Sequence, residues 1–244
     1  MLVLAGLVAT SRALDAAEQR TAPVALLDCA LKLVDQEKGG WTKQGTHSRM
    51  LRKSKIARKM AHYGANQRVA DALSEVEKTV EEVPSELRPL LRIEMAEAYA
   101  ALGRYEKALA LADRKAMKST AAIVYARVGI AAEMFRAGKR KRGLKVLKVA
   151  HRHMSEMEEW PGKLLAQMTW AYTRGGNYRE ALDIAIETED TRLKITTLSR
   201  IAQQWGKPHA GDAPKDVLWA LLEIAEHIPY PRKSRALRDI AEAF

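Results

Sequence analysis

A single cysteine, Cys29, in 244 residues excludes an intramolecular disulfide. Lying in the apolar run Ala25-Leu26-Leu27-Asp28-Cys29-Ala30-Leu31, it reads as a small core residue rather than a nucleophile. Aromatic residues are scarce, with only two phenylalanines, and period-two alternation of apolar and polar residues is absent over any useful length. Both observations argue against a strand-rich fold. No run approaches the roughly 20 apolar residues of a membrane-spanning helix. The first nine residues, Met1 to Ala9, are apolar but lack a basic start. Residues 1–13 are therefore read as a first packed helix, with a secretory signal as the alternative. A cytoplasmic location is expected on the first reading, and a secreted or periplasmic one on the second.

Catalytic signatures are missing too. Gly40 to His47 has the outer glycine spacing of a phosphate loop but no lysine after the second glycine and no strand before it. His151 and His153 are two apart, so on a helix they diverge, and His47, His62, His209 and His227 form no ligand spacing. The carboxylate clusters Glu156-Met157-Glu158-Glu159 and Glu187-Thr188-Glu189-Asp190 fall near expected helix ends and read as solvated termini. The expectation is a protein that is not an enzyme, with no metal and no cofactor.

What the chain does have is alanine, leucine and charge. Good helix formers dominate, and 41 Lys and Arg against 30 Asp and Glu give a net charge of +11. The composition predicts an all-α fold, and the charge favours acidic partners. Five glycines, at 64, 103, 138, 176 and 206, each follow a similar apolar and small-residue pattern, such as Met95-Ala96-Glu97-Ala98-Tyr99-Ala100-Ala101-Leu102-Gly103. Their spacings of 39, 35, 38 and 30 residues suit helix–turn–helix repeats, with glycine ending each first helix in a left-handed conformation. Residues 1–48 are expected to hold N-terminal helices and a basic loop over 38–46. Residues 49–244 hold the repeats, a second loop over 206–214 and a terminal capping helix.

Two segments resemble the tetratricopeptide motif: Ala96, Tyr99, Gly103, Tyr105 and Ala108 in the first, and Tyr172, Gly176, Tyr178 and Ala181 in the second. Where that motif carries Trp and Phe, this chain has Arg92 and Leu165, and Ala112 and Ala185. The resemblance implies a right-handed α-solenoid of about five antiparallel helical hairpins that binds a protein or peptide; a HEAT-like stack is the nearest rival. In tetratricopeptide arrays the first helices line a concave face. Carrying their register over places Arg58, Glu97, Phe135, Trp170, Arg174, Arg200 and Gln203 toward that groove, a mixture suited to an acidic peptide. Phe135 and Trp170 equally suit packing between repeats.

Two stretches lack acid. From Met134 to Ser155 there is no Asp or Glu, and Lys141, Lys145, Lys148 and Arg152 fall at i, i+4, i+7 and i+11, one helical stripe opposite Gly143, Leu147, Ala150 and Met154. The plain reading is a solvated face; the alternative function is nucleic-acid or polyanion binding. From Lys38 to Ala70 the cations wrap around the helix, and the glutamates after residue 74 are placed to neutralise them.

Overall fold

The computed structural model describes residues 22–36, 43–205, 215–230 and 232–241. Among them every regular element is helical and there is no strand. No helix among the described residues is long and apolar enough to cross a membrane. The signal-like segment 1–13, Trp41, Gly206, the loop over 206–214 and the last three residues lie outside this set.

The chain divides into two compact units, one ending at Lys118 and one beginning at Ser119. The first holds α1 (residues 22–36), α2 (Lys43–His62), α3 (Asn66–Thr79), a 3-10 turn (Val80–Glu82), α4 (Arg88–Ala101) and α5 (Tyr105–Leu111). Helix α2 starts inside the stretch expected to be a loop. The second holds α6 (Thr120–Arg136), α7 (Arg140–Met154), α8 (Gly162–Arg174), α9 (Tyr178–Ile186), α10 (Thr191–Trp205), α11 (Lys215–Glu226) and α12 (Arg232–Ala241).

Four hairpins reverse in the same way. Gly64, Gly103, Gly138 and Gly176 have φ of 81°, 77°, 71° and 69°. In each, the glycine N–H donates to the carbonyl three residues back. The next N–H, from Ala65, Arg104, Lys139 or Asn177, donates to the carbonyl five back, on Met60, Tyr99, Met134 or Tyr172, at 2.8–3.2 Å. Two orphan carbonyls per helix are thus satisfied by one left-handed residue, which only glycine adopts without steric cost.

In the first unit α2 packs on α3 and α4, and α4 on α5. Met50, Val76, Val83, Leu91 and Met95 form the core. In the second, α6 packs on α7 and α8, α8 on α9 and α10, and α10 on α9 and α12. Each of α6, α8 and α10 therefore touches a following first-type helix, while α6 and α8 also touch their own hairpin partners. The motif residues Ala96, Ala108 and Ala181 are fully buried, as are Tyr99 and Tyr172. Ala112 and Ala185, at the positions where the tetratricopeptide motif carries Phe, are also fully buried.

One sequence expectation is corrected. Cys29 is exposed. Val34 is the buried residue of α1, and the half-buried Val24, Leu27 and Leu31 share its stripe; Cys29 falls on the other side with Leu26 and Leu33. A local apolar run does not say which stripe faces inward.

No heavy atom lies within 4 Å of where a Cβ at Gly103 would sit. Gly103→Ala is therefore expected to cost only the backbone strain of a left-handed residue, about 1–2 kcal/mol. Ala181→Leu should cost about 1–3 kcal/mol by overpacking; urea denaturation of both variants checks the two values.

His47 is buried, and its Nε2 has no hydrogen-bond partner among the described residues. Burial holds its pKa below the ordinary histidine value. As pH falls below about 6.5, the unfolded chain takes up a proton that the folded chain refuses, so this contribution to stability is full above that pH and is lost on acidification. Melting temperatures from pH 8 to 5 should fall more steeply for the wild type than for His47→Leu.

Candidate binding face

Helix α6 is apolar or small almost throughout, so its one acid, Glu133, stands out. Its side chain is only 1% exposed, and a carboxylate so placed must be paired. Arg136, one turn on, brings Nε to 3.3 Å of Glu133 Oε2. A second arginine comes from α8: Arg174, half-buried, is close enough to sense both Glu133 and Arg136. Its guanidinium stacks 4.6 Å from the ring centroid of Trp170, four residues back on the same helix face. Burial and the neighbouring Arg136 lower the Arg174 pKa against the opposing pull of Glu133. Glu133 thus pairs with Arg136, and Arg174 lies near both with its guanidinium on a half-buried indole. The arrangement can take one further anionic group and one flat apolar group.

Of the seven expected groove residues, only Trp170 and Arg174 come together in this cluster. Arg58 and Glu97 form an ion pair between α2 and α4 in the first unit, each mostly buried. Each is the other's partner, which cancels their charge. The ring of Phe135 fills space between helices: a Cβ built at Gly143 of α7 would lie 2.6 Å from it, and one at Gly175, after α8, 2.8 Å. Phe135 packs where those two glycines leave room. Arg200 and Gln203 are exposed on α10, the helix that packs against α8.

No family model, curated protein or solved structure matches this chain. Its chemistry therefore has to be read from its own residues.

Lys141, Lys145, Lys148 and Arg152 are all exposed on α7, while Gly143, Val146, Leu147, Ala150 and Met154 are buried. The basic region of α2 and α3 behaves differently. Lys53, with a side chain only 4% exposed, lies 2.7 Å from Asp35 and also bonds Glu75, tying α1, α2 and α3 together. Lys55 pairs with Glu94 at 3.6 Å, and Arg68 pairs with Asp28. Glu75 supplies the neutralisation expected of it, whereas Glu77 pairs with Lys107 and Glu81 with Arg88 and Arg92.

The two carboxylate clusters, about 30 residues apart in the chain, meet in one open cleft of about 840 Å³, lined by Glu158, Glu159, Trp160, Glu187, Glu189 and Asp190. Asp190 also caps α10, accepting from the Leu193 N–H at 3.0 Å. His151 lies 3.3 Å from the Tyr172 hydroxyl, whose pKa is pushed up to about 12 by burial and by Glu180. His153 instead turns toward Glu156 at 3.6 Å. Among the described residues no group of His, Cys, Asp and Glu is placed to hold a metal ion.

The residues that sequence reasoning missed are Glu133 and Arg136. Their signal was available: a lone acid in a helix of buried residues, with an arginine at i+3. Glu133→Gln is expected to cost about 1–3 kcal/mol, because a buried charge-assisted contact is lost. Arg136→Gln, at a largely exposed position, should cost under about 1 kcal/mol. Chemical denaturation of the two variants checks the order.

Proposed function

We propose that the chain is a protein- or peptide-binding scaffold, a right-handed, tetratricopeptide-like α-solenoid of about five helical hairpins with no chemistry of its own. The observation that carries this reading is the Trp170–Arg174 stack near the Glu133–Arg136 pair. A half-buried indole and a guanidinium stacked on it are the two kinds of group that concentrate binding energy at interfaces. The repeated glycine turns and the run of contacts from α6 to α8 to α10 support it, since they set neighbouring first helices side by side.

The partner segment is acidic. One of its carboxylates forks onto Arg174 or Arg136, and an apolar or aromatic side chain lies on Trp170. Arg200 and Gln203 on α10 extend the polar contacts.

Selection of a random peptide library on the intact chain tests this. Selected peptides are expected to be rich in Asp and Glu, and Trp170→Ala should weaken them by about 2 kcal/mol, roughly 30-fold. Arg200→Glu, at an exposed position, should weaken acidic peptides while leaving the fold intact. Peptides that bind Trp170→Ala as tightly as the wild type, or that carry no acid, would overturn the assignment. Should Trp170→Ala instead lose about 3–5 kcal/mol of folding stability, the indole is a core residue and not an anchor.

A further inference from the structure

The outer face of α7 carries four exposed cations in one stripe, Lys141, Lys145, Lys148 and Arg152. Among the cations of the first unit, Lys53, Lys55, Arg58, Arg68, Arg88, Arg92 and Lys107 each find a carboxylate. Lys141, Lys145, Lys148 and Arg152 are exposed, and none pairs with a described carboxylate. Nothing acidic lies between Glu133 and Glu156 in the chain. Like charges three and four residues apart repel along a helix. Lys141 in the first turn also faces the positive end of the helix dipole. In isolation the face is unfavourable, and an anionic partner would reverse that.

From this we infer that α7 docks against the phosphate backbone of duplex DNA, without reading its sequence. The stripe spans eleven residues, about 16 Å at 1.5 Å per residue, a length that matches about five base-pair steps of duplex axis at 3.4 Å each. What α7 lacks decides among the polyanions. Its exposed positions carry no large apolar side chain to enter a lipid surface; the exposed large hydrophobics are Leu26, Leu33, Tyr63, Leu90, Ile186, Trp219 and Tyr230, all on other segments. It has no Phe, Tyr or Trp on which unpaired bases would stack. It has no Ser, Thr, Asn or Gln suited to the 2′-hydroxyls through which duplex RNA is recognised. Lysine and arginine alone, in a straight line, suit contacts to phosphate oxygens. This surface is separate from the Trp170–Arg174 cluster on α8, and the inference does not rest on the peptide-binding reading.

The test is a fluorescence-polarisation titration of the intact chain with a labelled duplex DNA of mixed sequence. With four phosphates neutralised, affinity should fall on the order of 100-fold between about 50 and 200 mM salt. The variant carrying Lys141→Ala, Lys145→Ala, Lys148→Ala and Arg152→Ala should lose binding and most of that salt dependence, with circular dichroism unchanged and a melting temperature no lower than the wild type's. Lys55→Ala, which removes one paired cation, should leave affinity within about twofold, as expected when only phosphate-contacting cations count. Duplex binding that survives the fourfold change would overturn the inference. So would Lys55→Ala weakening it as much as Lys148→Ala. Tighter binding to the single strand, to duplex RNA or to phosphatidylserine vesicles would assign the stripe to a different partner and overturn it equally.

Discussion

Both units depend on how closely two helices can approach at an alanine. Ala57 of α2, Ala96 and Ala100 of α4, Ala108 of α5, Ala131 of α6, Ala150 of α7, Ala171 of α8, Ala181 of α9 and Ala202 of α10 are all buried. A methyl group at a crossing point brings axes toward the short end of the 8–10 Å range. The few large side chains then have defined places. Tyr99 and Tyr172 are buried whole, and the Phe135 ring enters only because Gly143 and Gly175 leave room for it. With so few aromatics, the core is built from small steps rather than large anchors, and its tolerance for added volume is correspondingly low.

The sequence made the turns legible because their cause is local. A residue at φ near +75° is a glycine for steric reasons, and the helix before it announces itself by period. The basic face of α7 was legible for the same reason, since helical spacing alone puts Lys141, Lys145, Lys148 and Arg152 on one stripe and Leu147, Ala150 and Met154 on another. Charge pairing was not. Arg58 meets Glu97 across 39 residues, and Lys53 is held between Asp35 and Glu75. Composition shows which cations exist; tertiary contact decides which ones are spent on neighbours. Cys29 failed for a related reason, because an apolar run names a helix and not its inward stripe.

The candidate site was half legible. Trp170 and Arg174 came from register, but the acid near Arg174, Glu133, is a buried charge supplied by a different helix. The same register placed Arg58, Glu97 and Phe135 as binding groups, yet each is engaged within the protein. A concave-face register cannot distinguish a side chain that waits for a ligand from one already answered by its own chain. The acidic cleft makes the complementary point: two helix ends, each read singly as a solvated terminus, become one anionic surface once the α7–α8 and α9–α10 turns lie side by side.

The helix pairings have a kinetic meaning of their own. Each packed pair joins elements that are adjacent or next-but-one in the chain, as α2 with α3 and α4, or α8 with α9 and α10. Loop closure therefore involves short segments, contact order is low, and each hairpin can form beside a neighbour already in place. Within each unit, pairing between near neighbours in the chain favours fast formation of the hairpins. Hydrogen exchange within each unit would then vary by hairpin rather than by residue.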